Sequence, residues 1–398
     1  MSSCFSGSPR ALAGAAVVSF LTMLGISAGC RPAENPASAS AASPSGPTPP
    51  PAGNGTLLAY ASGYGPTLAI FAVDRASGAL RKTADVPSFG PAPSFLAVNA
   101  PVTNLYALDE GTPGRVGAYR IEPGSGALRF LGAESSGGAG PAHLSLDATG
   151  RYVLVANYGD GTISVLPVRT DRDGALGAPL QTLSVGAQAH MILTDPSNRY
   201  VFVPCKGADY VAQFTFDAAT GALRPNARQP TVATAAGAGP RHLAFHRNGR
   251  FAYLINELDN TMTALAFDAG AGTLSPIETQ STLPSGYSGQ DTAAEVWVHP
   301  SGAWVFGSNR GDDSIVVFGV DPATGKLARK GHTKTGGAHP RDFALDPTGR
   351  FLYVANQKSN AVVPFRFDPA SGELSATAAP VEVTGASYIG LFRVPGGP

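Results

Sequence analysis

The strongest constraint on this chain is that it repeats. A Gly-x-Leu turn recurs at Gly78, Gly126, Gly174, Gly221, Gly272, Gly325 and Gly372, at spacings of 48, 48, 47, 51, 53 and 47 residues. Periods of this size mark solenoids and propellers, whose repeats bury an apolar face only against their neighbours. Three of the turns read Asp-x-x-x-Gly: Asp217–Gly221, Asp321–Gly325 and Asp368–Gly372. An Asp that accepts from backbone amides ahead of a Gly at positive φ is the chemistry such a turn needs.

The order within a unit is constant. The sixth reads AAEVWV, HPSGA, WVFGSN, RGDD, SIVVFGVD and, after a turn, KLARKG. Short alternating apolar runs separated by Gly, Pro and Asp are strands, and four of them make one propeller blade. Residues 57–398 therefore predict an all-β, seven-bladed β-propeller with ~49 residues per blade. Blade-starting strands are expected at Ser94, Ala142, Ala189, Arg241, Ala294 and Arg341, and once more at Ser387, which no hairpin follows. The first unit, from Leu57, lacks such a strand. The tail Ser387–Val394 is expected to fill that place, closing the ring and removing its open sheet edges.

Residues 1–56 read differently. Arg10 precedes the apolar run Ala11–Ile26 and the string Ser27-Ala28-Gly29-Cys30, the pattern of a secretory signal over 1–29. A cysteine directly after small residues resembles the bacterial lipobox, although Ser27 stands where Leu is usual; Cys30 is the expected lipidation site. Residues 30–56 are rich in Pro, Ala and Ser and read as a disordered tether. The expected location is the cell envelope, lipid-anchored, or the periplasm if the protein is simply secreted. The membrane is met only through that anchor. The 28 basic and 28 acidic residues leave no footprint for nucleic acid. The motifs of nucleotide, zinc and nucleophile-elbow sites are missing from the propeller region, so neither cofactor nor metal is expected, and the chain reads as a monomer.

Aligned repeats turn scattered polar residues into columns. The second residue of each inner strand is Phe95, His143, His190, His242, Glu295, Asp342 or Tyr388, and the residue before it includes Arg241 and Arg341. The second strands end in Ser62, Asp109, Asn157, Cys205, Asn256, Asn309 and Asn356, followed by Gly63, Glu110, Tyr158, Lys206, Glu257, Arg310 and Gln357. Inner strands line the channel of a propeller, so these columns are expected to converge on one mouth of it. The recurring Asn is read as structural. The hairpin Pro240–Glu257 is expected to bring Arg241 and His242 beside Glu257.

The strings GPRHLAFHRNGRFAYLINEL, AAEVWVHPSGAWVFGSNRGDDSI and HPRDFALDPTGRFLYVANQKS resemble the lactonase-family propellers. That family includes bacterial 6-phosphogluconolactonases of propeller type and fungal 3-carboxy-cis,cis-muconate lactonizing enzymes. The resemblance implies catalytic roles for His190, Arg241, Glu257 and Arg310. The approach to the fourth blade departs from the family pattern, reading Ala187-Gln188-Ala189-His190 and keeping only the second of two His.

Opening a lactone with water needs a base for the water's proton and donors for the oxyanion. Glu257 is the expected base and Arg241 its flanking charge. His190, with His242, is expected to serve the oxyanion or the leaving alkoxide. Arg310 and Arg341 would hold a carboxylate or phosphate substituent. His143, His242, Glu295, Arg341 and Asp342 are the expected substrate-binding residues. Exchanging Glu257 for Gln is expected to remove turnover and leave the melting temperature nearly unchanged. The competing expectations are a lactonizing cyclase built on the same groups and a non-catalytic envelope propeller that binds a ligand or protein.

Overall fold

The computed structural model describes residues 55–396, and all of its sheets are antiparallel blades of one ring. There are seven sheets of four or five strands. The tail strand Ala386–Val394 pairs with Thr56–Gly63 along eight residue pairs and becomes the inner strand of the first blade, as its sequence position requires. The signal, Cys30 and the tether lie outside the described residues. The helical content described is three single 3-10 turns: Thr170–Arg172, Lys206–Ala208 and Gln357–Ser359. No helix among the described residues is long and apolar enough to cross a membrane.

Each core lies between two blades, and there is one for every junction. Leu58, Tyr60 and Ile70 of the first blade meet Leu105 and Tyr119 of the second. At the closing junction Phe71 and Leu391 of the first blade pack on Phe351 and Tyr353 of the seventh. Burying a large side chain is worth roughly 1.5–3 kcal/mol, so a missing blade would expose two cores together.

The repeated glycines act at these junctions. Gly221 and Gly325 have φ of 78° and 73°, a region disfavoured for residues with a Cβ. A Cβ at Gly221 would also fall 2.6 Å from the Tyr152 ring of the preceding blade, and one at Gly325 2.6 Å from Phe251. The Asp cap is in place as well: Asp217 accepts from the Ala219 amide at 2.8 Å, and Asp321 from that of Ala323 at 2.8 Å. The recurring Asn is structural, with Asn157, Asn309 and Asn356 donating to the carbonyls of Ser136, Thr282 and Thr335.

The inner strands are less uniform than the repeat implies. In the first, third, fifth, sixth and seventh blades an extra residue of the inner strand interrupts the register, between Ala386 and Tyr388, Pro141 and His143, Pro240 and His242, Ala293 and Val296, and Pro340 and Asp342. A bulge of this kind re-aims side chains at a strand end. The extra residues include Ala142, Arg241, Arg341 and Ser387. The fourth blade is irregular over a longer stretch. There Gln188 turns the chain at φ 56°, Ala189 bridges Cys205, and regular pairing begins only at Leu193.

Candidate active site

The columns do not converge on one mouth; they form two layers. The column that follows the ends of the second strands, with Arg341 from the bulge of the seventh blade, walls a cleft of about 190 Å3. Tyr64, Glu110, Tyr158, Lys206, Glu257 and Arg310 each come from a different blade, and His190 and Arg341 complete the wall. The inner-strand column lies beneath as a plug across the channel.

Glu257 is the hub of the cleft. One carboxylate oxygen, Oε1, lies 2.7 Å from Lys206 Nζ and 3.1 Å from an Arg310 nitrogen, and Oε2 lies 3.0 Å from Arg241 Nε. Burial alone would raise its pKa; Arg241, Arg310 and Lys206 outweigh this and hold it at about 2. The guanidinium groups are fixed in turn. Arg241 donates to the Ala294 carbonyl at 2.7 Å, and Arg310 to those of Thr292 and Ala293 at 3.1 and 3.3 Å. The Glu257 amide is tied to the Gly239 carbonyl at 2.7 Å. These bonds make a rigid charge cluster, not four independent side chains.

Arg341 is placed differently. Its guanidinium lies over the Tyr64 ring at 5.4 Å and pairs with no carboxylate among the described residues, while Tyr64 donates to Glu110 at 2.7 Å. Lys206, Arg241, Arg310 and Arg341 stand against Glu257 and Glu110, four cations to two carboxylates. The cleft therefore favours an anion.

Of the expected catalytic residues, Glu257, Arg241, Arg310 and His190 do come together. Lys206 and Tyr158 were missed, although they share a column with Glu257; Lys206 also donates to the Tyr158 hydroxyl at 3.2 Å. The expected substrate contacts divide. Arg341 faces the cleft, whereas His143, His242, Glu295 and Asp342 belong to the plug and do not line it. His242 does not reach Glu257 as the hairpin suggested. The bulge at Arg241 puts the two residues on different paths, and His242 Nδ1 instead lies 2.6 Å from Glu295 Oε2.

The plug is aromatic on one side and acidic on the other. Phe95 lies 4.4 Å from His143 and 4.8 Å from Tyr388, ring to ring, and His143, His190 and His242 stack edge to face. Burial, and after it the neighbouring cations, hold His190 and His242 far below the usual imidazole value, so both are neutral. A crevice of about 10 Å3 is all that remains between plug and arginines. Beyond the plug the channel widens into a mainly apolar vestibule of about 680 Å3, which Glu295 and Asp342 also line. No group of three or more His, Cys, Asp or Glu side chains with metal-holding geometry occurs among the described residues.

Residues 55–390 match the family model described as lactonase, 7-bladed beta-propeller. The chain is 37% identical over 232 residues to a 6-phosphogluconolactonase of Pectobacterium carotovorum, covering 58% of this chain and 68% of that one. It is 33% identical over 265 residues to a 6-phosphogluconolactonase of Bacillus subtilis, covering 64% and 74%. Among solved structures it is similar to the periplasmic gluconolactonase PpgL of Pseudomonas aeruginosa, with a TM-score of 0.79 and 32% identity over 86% of this chain and 99% of that one.

Proposed function

The chain belongs to the lactonase family of seven-bladed β-propellers, and on that premise we propose that it hydrolyses the ring ester of a sugar lactone that carries an anionic group. The observation that carries this is the cleft itself, in which one buried carboxylate is set among four cations of which Arg341 lacks an acidic partner among the described residues. The relatives named as 6-phosphogluconolactonases and gluconolactonase supply the substrate class.

The roles follow from position. Lys206 and Arg310, the cations on the Oε1 side of Glu257, are assigned to the charge that develops on the carbonyl oxygen, where they would stabilise the tetrahedral intermediate. Glu257 takes the water's proton. At about 2 it is a poor base in the empty cleft. An incoming anion and the growing oxyanion share the charge of Lys206 and Arg310 with Glu257, and the carboxylate regains basicity as the reaction proceeds. His190 gives its proton to the departing ring oxygen. Arg341 holds the phosphate or carboxylate substituent through a forked pair of hydrogen bonds. Arg241, buried and bonded to the Ala294 carbonyl, fixes Glu257 and is not expected to touch substrate.

The N-terminal pattern supports an export route ending at the envelope, with Cys30 lipidated; the periplasmic neighbour is in keeping with this. Replacing Arg341 by Met tests the substrate assignment. KM for a 6-phosphorylated lactone should rise about tenfold or more, the order expected for losing one charge-assisted contact, and KM for the unphosphorylated lactone should change little. Equal effects on both substrates would remove Arg341 from that role.

A further inference from the structure

Three features of the plug are not explained by the chemistry above. His242 Nδ1 is 2.6 Å from Glu295 Oε2. His242 Nε2 is sealed from solvent and has no partner, and His190 Nδ1 is in the same condition. The two rings stand 5.1 Å apart, centroid to centroid, at 66°. Subtracting the ring radii leaves about one hydrogen-bond length, the separation the two nitrogens reach if the imidazoles turn from this edge-to-face arrangement to meet edge to edge. A buried polar atom without a partner costs on the order of 1–3 kcal/mol, so two of them on adjacent rings are unusual. A proton on one and a lone pair on the other would satisfy both after a small rotation.

We propose that Glu295, with Asp342 packed beside it, stores a proton for the reaction, and that His242 passes it to His190 at the floor of the cleft. The catalytic consequence rests on the lactonase reading; the proton store does not. As the ring C–O bond breaks, the alkoxide oxygen takes the Nε2 proton of His190. His190 Nδ1 takes the Nε2 proton of His242, and His242 Nδ1 takes the carboxyl proton of Glu295. Two N–H bonds and one O–H bond break, and one O–H and two N–H bonds form. No electron leaves the system, both imidazoles end neutral, and Glu295 is left as a carboxylate. The proton that Glu257 took from water then enters His190 Nε2, and the hops run backward to restore the store.

The surroundings suit such a path. Burial raises Glu295 to about 7, with Arg241 opposing, and raises Asp342 well above the usual range, with the charge of Glu295 adding to the effect. An acid near neutrality both gives and retakes a proton readily. His242 faces Glu295 below, His143 and His190 at its sides, and the charges of Arg241, Arg341, Arg310 and Glu257 above. With three cations among these, His242 conducts a proton without trapping it.

The test compares Glu295→Gln and Asp342→Asn with wild type. Wild-type kcat should fall as pH rises through about 7, because the store must be protonated. Glu295→Gln should lower kcat about tenfold or more, leave KM within about twofold, and abolish that limb. Asp342→Asn keeps a neutral donor beside Glu295 and should retain the limb. A packing role alone would move both variants together with their melting temperatures. Infrared spectroscopy supplies a readout free of turnover: a buried carboxylic-acid band should titrate near 7 in wild type and vanish in Glu295→Gln. A Glu295→Gln enzyme with wild-type kcat and pH profile, or a wild type without that band, overturns the proposal. A titrating band in a protein inert toward lactones would instead keep the store and remove the lactonase reading.

Discussion

Replacing Glu257 by Gln removes the one anion that three cations share, two of them buried. Lys206, Arg241 and Arg310 then face one another across a neutral amide, with Arg241 only 2% exposed and Arg310 9%. The size of the loss can be reached in two ways. Glu257 moves from its usual 4.5 to about 2 on folding, which by linkage is about 3 kcal/mol. Breaking a buried ion pair from one side costs about 3–5 kcal/mol. Unfolding entropy near 2.1 cal/mol/K per residue, over the 342 residues from 55 to 396, gives roughly 0.7 kcal/mol per degree. The melting temperature should therefore fall by about 4–7 °C at pH 7. A depressed carboxylate contributes above its unfolded pKa and loses that contribution as pH falls through the folded one, so the gap should close between 4.5 and about 2. Circular dichroism melts of wild type and variant at several pH values measure it. A variant melting within about a degree of wild type at pH 7, or a gap indifferent to acidification, would refute the argument. The expectation from sequence, that only turnover would suffer, gave Glu257 one flanking charge, Arg241, and left out its pairing with Lys206 and Arg310.

Other consequences are independent of substrate. Cys205 is fully buried, donates to the Val185 and Val203 carbonyls, and has its thiol pushed up by burial to about 12. It should resist alkylation in the native protein and react only on unfolding, as peptide mass mapping after iodoacetamide would show; rapid native labelling would contradict this burial. Deleting 386–398 removes the strand that pairs with Thr56–Gly63 and opens the cores on both sides of the first blade. That chain should aggregate or lose its cooperative melt, whereas cooperative melting within a few degrees of wild type would show that the ring does not depend on this clasp. Since kcat/KM reports the free enzyme, it should show no acid limb until pH nears the value of about 2 for Glu257. An acid limb near 4 to 5 would mean that the three cations do not hold that carboxylate as described.

The ring was legible because blades repeat, and repetition averages out local ambiguity. Seven turns, and a tail strand without a hairpin matched by a first unit without an inner strand, left one way to close. The site was legible in part. Arg241 and Glu257 stand out because they differ from most of their column mates, and Arg310 through the family resemblance. Lys206 shares the Glu257 column, but lysine on a loop is usually a solvated charge, and only the 2.7 Å approach to Glu257 gives it meaning. The depth of each column was not legible. One extra residue in the inner strands of the fifth and seventh blades separates Arg241 and Arg341 from the plug beneath, and a single-residue bulge leaves no clear mark in a sequence rich in Pro and Gly. For that reason His143, His242, Glu295 and Asp342 read as substrate contacts although they form the wall behind the cleft.

The most direct test is proton release in a pH-stat with 6-phosphogluconolactone, comparing wild type and Glu257→Gln with the spontaneous reaction. Wild type should run well above the spontaneous rate and the variant should fall close to it. A wild type that never exceeds the spontaneous rate on phosphorylated or plain sugar lactones, or a variant as fast as wild type, would contradict hydrolysis at this cleft.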